Sequence, residues 1–196
     1  MNIVILDTSC GNFYSLQSTI EKIGFRSQIT NDKNLILNAD KIFLPGVGSA
    51  YSAIKKLKND NLLKLIKNCK KDILGICLGM QILGKHSEEN EGINTLGILN
   101  YSTYLMNNKN VPIPHMGWNK VNITKKSPLF HNIYTGSYFY FSHSYNIHLN
   151  NYTIAETNYE NLFSSAIQKD NFFGVQFHPE KSGNNGIQLI KNFLKI

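Results

Sequence analysis

The chain opens on an unbroken apolar run. Residues 2–7, Asn-Ile-Val-Ile-Leu-Asp, show no polar alternation and end in a turn at 7–11. Residues 41–44 and 73–76 repeat this character, and a shorter strand is expected at 26–30. Runs of this kind predict strands covered on both faces. Between them the period changes. Phe13, Leu16, Ile20 and Ile23 fall at helical spacing, with Asn12 placed to cap the helix and Gly24 to stop it. Ser49 caps a second helix running to about residue 58. Residues 61–70 continue as another helical piece, and 78–84 form a short helix. Strand and helix alternating in this way predict a parallel sheet with helices on both faces.

The second half reads differently. Aromatic and β-branched residues dominate 120–124, 137–141, 152–157, 164–168 and 172–177. Turn residues separate them at 107–108, 125–128, 150–151 and 169–171. Antiparallel strands and hairpins packed onto the same core are expected, closed by a helix at 186–194. The fold class is therefore α/β, with a mainly parallel central sheet, flanking helices and an antiparallel, β-rich C-terminal half. No linker, repeat or low-complexity stretch interrupts the pattern, so residues 1–196 are read as one domain. That length can bury a sufficient core without staples. The 42% hydrophobic content argues against disorder. No apolar run reaches the roughly 18 residues of a membrane span. The N-terminal residues lack the features of a signal peptide, so a cytoplasmic location and no membrane association are expected.

Charge changes this picture little. The formal net charge is +7, yet Arg26 is the only arginine among 20 basic residues. Base readout leans on the arginine fork, so no nucleic-acid partner is expected. Lys55, Lys56 and Lys58, and Lys64, Lys67, Lys70 and Lys71, flank leucines and isoleucines at helical spacing, as on a solvated helix face. Cys10, Cys69 and Cys77 cannot all pair and do not have metal-ligand spacing. Neither a metal nor a cofactor is expected.

One cysteine sits in a distinctive setting. Gly75-Ile76-Cys77-Leu78-Gly79 has the form glycine, any residue, nucleophile, any residue, glycine. At a tight strand-to-helix turn the nucleophile adopts a strained backbone, and side chains two positions either side would collide with it. The turn lifts the thiol to the carboxyl edge of the sheet, at a helix N-terminus that favours the thiolate. The Leu78 N–H then points where an oxyanion forms. A cysteine nucleophile needs a base, and the base an orienting group. His178 ends an apolar strand and Glu180 follows across Pro179, so the carboxylate can hold one imidazole nitrogen while the other faces the thiol. Pro45-Gly46-Val47-Gly48 follows the third strand, and its backbone can supply a second oxyanion donor.

These elements, in this order, resemble the class I (triad) glutamine amidotransferases. The blocks Cys77 to Gln81, Pro114-His115-Met116-Gly117-Trp118-Asn119, Tyr138 to Tyr145 and Gly174 to Gly183 are similar to the glutaminase subunits of imidazole glycerol phosphate synthases along essentially the whole chain. The resemblance implies hydrolysis of glutamine to glutamate and ammonia. It also implies a heterodimer with a cyclase subunit, a (β/α)₈ barrel that uses the ammonia in histidine biosynthesis. By this match Cys77 is the nucleophile, His178 the acid/base and Glu180 its orienter. Gly46, Val47, Gly48 and Leu78 form the oxyanion hole. Gln81, Ser144 and Tyr145 hold glutamine. Asn12, Trp118, Asn119, Tyr138, Tyr140 and Lys181 face the cyclase, in keeping with the preference of interfaces for Trp and Tyr. Ser9 and Ser142 depart from the family pattern. The alternatives are the glutaminase of another synthesis (anthranilate, pyridoxal phosphate or GMP) or a non-catalytic α/β interaction subunit.

Overall fold

The computed structural model describes residues 1–8, 13–46 and 48–196. In chain order the elements are β1 (Ile3–Ile5), α1 (Phe13–Lys22), β2 (Ser27–Ile29), α2 (Lys33–Leu37), β3 (Lys41–Leu44), α3 (Ala50–Asn59), α4 (Leu63–Lys67), β4 (Asp72–Ile76) and α5 (Leu78–Ile82). Then come β5 (His86–Ser87), β6 (Ile93–Asn94), β7 (Ser102–Leu105), β8 (His115–Ile123), β9 (Ser137–His143), β10 (Tyr145–Ile147), β11 (Thr153–Tyr159), β12 (Asn161–Lys169), β13 (Phe172–Val175) and α6 (Gly183–Lys195).

Among the described residues, nine strands form one sheet in the order β2-β1-β3-β4-β13-β12-β11-β8-β9. The pairings from β2 to β13 are parallel, and those from β13 to β9 are antiparallel. The aromatic second half thus extends the central sheet itself, edge to edge. The far strand bends back over the site, because the His178 N–H donates to the Tyr140 carbonyl on β9 at 2.8 Å.

Strand alternation divides the apolar residues between two cores. Ile3 and Ile5 face one side with Leu16 and Ile20 of α1 and Leu189 and Phe193 of α6. Val4 and Leu6 face the other with Ala53 and Leu57 of α3, Ile66 of α4 and Ile82 of α5. Phe139, Phe141, Phe163, Phe173 and Phe177 lie fully buried in the first core. Each such ring is worth about 1.5–3 kcal/mol over leaving it exposed. No described helix is long and apolar enough to cross a membrane.

Local signals act where expected. The Ser49 hydroxyl accepts from the Ser52 N–H at the start of α3. Gly24 takes φ +94 after α1, a left-handed stop that suits glycine. The lysines of α3 and α4 lie mainly on the exposed face. Asn12, expected as the cap of α1, lies outside the described residues.

Two features go beyond the pattern. Helix α2 is capped by the Asp32 carboxylate but buries only Ile36, too little to set a period. A second sheet, β10-β7-β5-β6, packs beside the first. Its two-residue members carry no alternation to read. Strand β8 also starts five residues earlier than the expected 120–124, so the Pro-His-Met-Gly-Trp-Asn block is largely strand.

Candidate active site

Strands β3, β4 and β13 lie side by side and parallel, so the segments that follow them meet at one edge. Cys77 comes directly after β4 with φ 54 and ψ −110, a left-handed backbone for a residue with a side chain. Such a conformation costs on the order of 1–3 kcal/mol and persists only where the surroundings impose it. The flanking glycines show how. A Cβ on Gly75 would lie 2.7 Å from the backbone of Gly79 and Met80, inside the elbow. A Cβ on Gly79 would lie 1.7 Å from the Leu44 carbonyl oxygen of β3. Gly79 is therefore required by the neighbouring strand, whereas Gly75 is required by the turn itself. Gly46 packs just as closely, its would-be Cβ 2.6 Å from the Leu78 Cβ, which seats the loop after β3 against the elbow.

His178 is 3% exposed and lines the same cleft as Cys77. Its Nδ1 lies 2.8 Å from Glu180 Oε1, so Nδ1 carries a proton and Nε2 faces the sulfur. Burial by itself would lower the imidazole pKa. The negative charge and hydrogen bond of Cys77, joined by Glu180, override it and push the pKa up to about 10. Helix α5 is only five residues long. The charged group that the structure sets beside the sulfur is His178.

Around this pair lies a cleft of about 330 Å³, near the lower end of the range for small-molecule sites, about 300–1,000 Å³. Gly46, Gly48 and Leu78 line one part of it, and Gln81, Ser144 and Tyr145 another. Val47 lies outside the described residues. The Gln81 amide nitrogen donates to the Tyr145 carbonyl at 2.9 Å and to Gln176 Oε1 at 3.0 Å. The structure therefore brings together the residues expected to form the triad, the described residues expected to form the oxyanion hole and the three expected to hold glutamine.

The expected docking residues divide. Strand pairing sets Trp118 opposite Tyr140 and Lys120 opposite Tyr138, all on one face. Trp118 is 55% exposed, and Tyr138 is exposed beside it. Trp118 meets the Tyr140 ring edge-on, and the Lys181 ammonium lies 5.6 Å from the same ring. Lys181 also lines the cleft, so this face and the cleft adjoin. Asn119 differs. As the next residue along β8 it turns to the opposite face, where its amide donates to the Asn158 carbonyl and lies 3.3 Å from His115 Nε2. Asn12 is outside the described residues.

Sequence reasoning missed three residues of the site. Gln176 is buried against Cys77. His115 and His143 form a buried pair, Nδ1 to Nε2 at 3.1 Å. His143 Nδ1 lies 2.8 Å from the Tyr145 carbonyl, which can only accept, so the whole chain is directional. Asn119 donates to His115, His115 to His143, and His143 to the Tyr145 carbonyl. Both rings are held neutral. Burial lowers the His115 pKa to about 4. Burial, with His115 next, lowers that of His143 to about 3. A polar residue inside an apolar strand, such as Gln in Val-Gln-Phe or His in Phe-Ser-His, was the available signal.

The shifts carry a consequence for stability. Between about pH 4 and 6.5 the unfolded chain binds protons at these histidines and the folded chain does not. The contribution of these two histidines to stability is then full above pH 6.5 and falls as pH drops through that window. Melting temperatures measured from pH 7 to 4 are expected to fall less steeply in His115→Phe, which keeps the stacking on Phe141 and Tyr159, than in the parent chain. Parallel curves for the two would contradict the neutral pair.

The glutamine amidotransferase class-I family model matches residues 4–196. The imidazole glycerol phosphate synthase subunit HisH of Blochmanniella pennsylvanica is 54% identical over the full length of both chains. The Escherichia coli K12 protein of the same name is 49% identical, again over the full length of both. Among solved structures, PurLQS from Thermotoga maritima superposes with a TM-score of 0.71 at 16% identity, covering 99% of this chain and 97% of that one. At that identity the likeness shows the fold alone. The chain belongs to the class I glutamine amidotransferases, among the glutaminase subunits of imidazole glycerol phosphate synthase.

Proposed function

We propose that Cys77, His178 and Glu180 carry the glutaminase reaction, and that the ammonia passes to a cyclase subunit docked on the Trp118 face. The observation that carries this reading is that Cys77 and His178 line the same cleft while Glu180 holds His178 Nδ1 at 2.8 Å. The thiolate attacks the side-chain amide carbon of glutamine, forming the C–S bond. The oxyanion takes hydrogen bonds from the Leu78 N–H and from the Gly46–Gly48 segment. The His178 imidazolium gives its proton to the amide nitrogen, the C–N bond breaks and ammonia leaves. The same imidazole then takes a proton from water, whose oxygen attacks the thioester. Glutamate departs and the thiolate is restored. Gln81, Ser144 and Tyr145 hold the amino-acid end of the substrate.

The name shared by the relatives, "subunit HisH", places this chain in a multi-subunit assembly. We identify the partner as the cyclase, a (β/α)₈ barrel. Met116, Trp118 and Tyr138 expose apolar surface on one hairpin face, and Lys181 links that face to the cleft. Ammonia released at Cys77 then needs only to cross the contact to reach the second active site. The triad occupies one cleft of the single domain proposed for residues 1–196, and the cyclisation is assigned to the other chain.

The deciding experiment is glutamine hydrolysis with and without the cyclase subunit and its ribotide ligand. Turnover coupled one to one with ribotide conversion supports the assignment. Hydrolysis that never couples to the cyclase overturns it and leaves another amidotransferase as the reading. Trp118→Ala is expected to weaken the complex by at least about 30-fold, the scale of an aromatic hot spot. Titration calorimetry against the cyclase checks this, and an unchanged Kd removes Trp118 from the interface.

A further inference from the structure

We propose that Gln176 is a further catalytic residue, whose side-chain amide donates a hydrogen bond to the Cys77 sulfur and stabilises the thiolate. The inference rests on Cys77 being the nucleophile and goes beyond it.

Sheet register creates the juxtaposition. In the parallel β4–β13 pair, Val175 lies opposite Ile76, so the next residues, Gln176 and Cys77, emerge side by side. The Cys77 N–H donates to the Val175 carbonyl and the Gln176 N–H to the Ser165 carbonyl, which pins both backbones. Gln176 is wholly buried, between Val175 and the fully buried Phe177. A carboxamide in such a place is tolerated only when its hydrogen bonds are made.

Those bonds decide which way the amide faces. The Tyr145 carbonyl can only accept, so the group that Gln81 turns to it is its amide nitrogen. That nitrogen also lies 3.0 Å from one end of the Gln176 amide, which must then be the oxygen. The other end, Nε2, is left 3.6 Å from Cys77 Sγ, within hydrogen-bond range for sulfur. The orientation follows from the chemistry of the partners and not from the shape of the amide.

The sulfur has a further neighbour, the Ser142 carbonyl oxygen at 3.8 Å. A carbonyl accepts from a thiol and offers nothing to a thiolate. When His178 takes the thiol proton, the interaction with Ser142 is lost. The sulfur then becomes a pure acceptor, with His178 and Gln176 as its donors. Hydrogen bonds to an ionised partner are roughly twice as strong as neutral ones. Gln176 therefore favours the charged sulfur without titrating itself. Its help is largest for the free thiolate and for sulfur departing from the thioester, where the negative charge returns.

Removing this donor has a readout that packing alone does not move. Labelling of Cys77 by iodoacetamide, followed by mass spectrometry across pH 5–10, reports how readily the thiolate forms. In Gln176→Met, close in length and unable to donate, labelling is expected to rise at higher pH than in the parent chain. Labelling at pH 7 should drop by about 10-fold or more, and kcat for glutamine should fall by on the order of 10- to 100-fold, with KM moving far less. A labelling curve that superimposes on the parent overturns the proposal, even if activity is lost through packing. A second measurement needs no variant at Gln176. In the ¹⁵N-labelled chain, the Gln176 side-chain amide proton is expected to shift downfield with the same pH midpoint as Cys77 labelling, and to lose that response in Cys77→Ala. An amide resonance indifferent to thiol ionisation also overturns the proposal. If Cys77→Ala instead keeps its glutaminase activity, the nucleophile assignment itself has failed. The two failures are thus distinguishable.

Discussion

Cys77→Ala is expected to abolish glutamine-dependent synthesis while synthesis from added ammonium salt continues at the parent rate. Without the sulfur no thioester forms, and His178 and Glu180 have no nucleophile to activate. Removing the nucleophile from a comparable triad costs on the order of 10⁶ in kcat. The fold should survive, because alanine removes one small buried atom and leaves Gly75, Gly79 and the Leu44 contact untouched. Intact ammonia-dependent turnover in the assembled complex therefore serves as the folding control. Glutamine-dependent activity within tenfold of the parent would remove Cys77 from the mechanism. It would favour a non-catalytic subunit with a merely buried thiol.

Glu180→Gln tests the other end of the relay. The carboxylate holds His178 Nδ1–H at 2.8 Å and helps keep the imidazolium favourable. A glutamine is nearly the same shape but has no charge, and it can turn its NH₂ toward the ring and force the other tautomer. The pKa of His178 then falls from about 10 toward the ordinary value, because one of its two stabilising partners is gone. The proton returns to sulfur, and less thiolate stands ready at neutral pH. The same exchange in a serine triad lowers kcat by about 10⁴, and a loss of that order is expected here. KM should change little, since the cleft residues expected to bind glutamine, Gln81, Ser144 and Tyr145, lie elsewhere. A kcat within tenfold of the parent would show that Glu180 orients nothing of consequence.

The sequence was most legible where the constraint is local. Gly75 flanks Cys77 within the elbow, and the turn that demands it acts over a few residues, whereas the demand on Gly79 comes from Leu44 of the neighbouring strand. His178 and Glu180 are two residues apart, so their contact needed only the bend at Pro179. Ser49 and Gly24 announced their helix ends by the same short-range chemistry. Lys41–Leu44 read as a strand because every position in it is buried.

The exposed aromatic face was half legible. Aromatic residues in the 114–119 and 138–145 blocks fall on one hairpin, β8 with β9. With β8 read from residue 120, however, the period of two was not applied to Trp118 and Asn119. Consecutive strand residues point to opposite faces, and the structure places only the tryptophan with Tyr140 and Lys181. Asn119 belongs instead to the buried histidine chain that ends at the Tyr145 carbonyl.

The sequence by itself determined the kinds of element, the elbow and the order of the chemical groups along the chain. Steric limits and hydrogen-bonding capacity within a few residues suffice for those. Only the tertiary structure decided that β13 lies against β4, which brings Gln176 to the sulfur across 99 residues. It also set His115 against His143 across 28, and joined four short strands into a second sheet. Strand order is a choice among many pairings of similar local merit. It is settled by the burial of two whole cores at once, a cooperative quantity that no short segment carries.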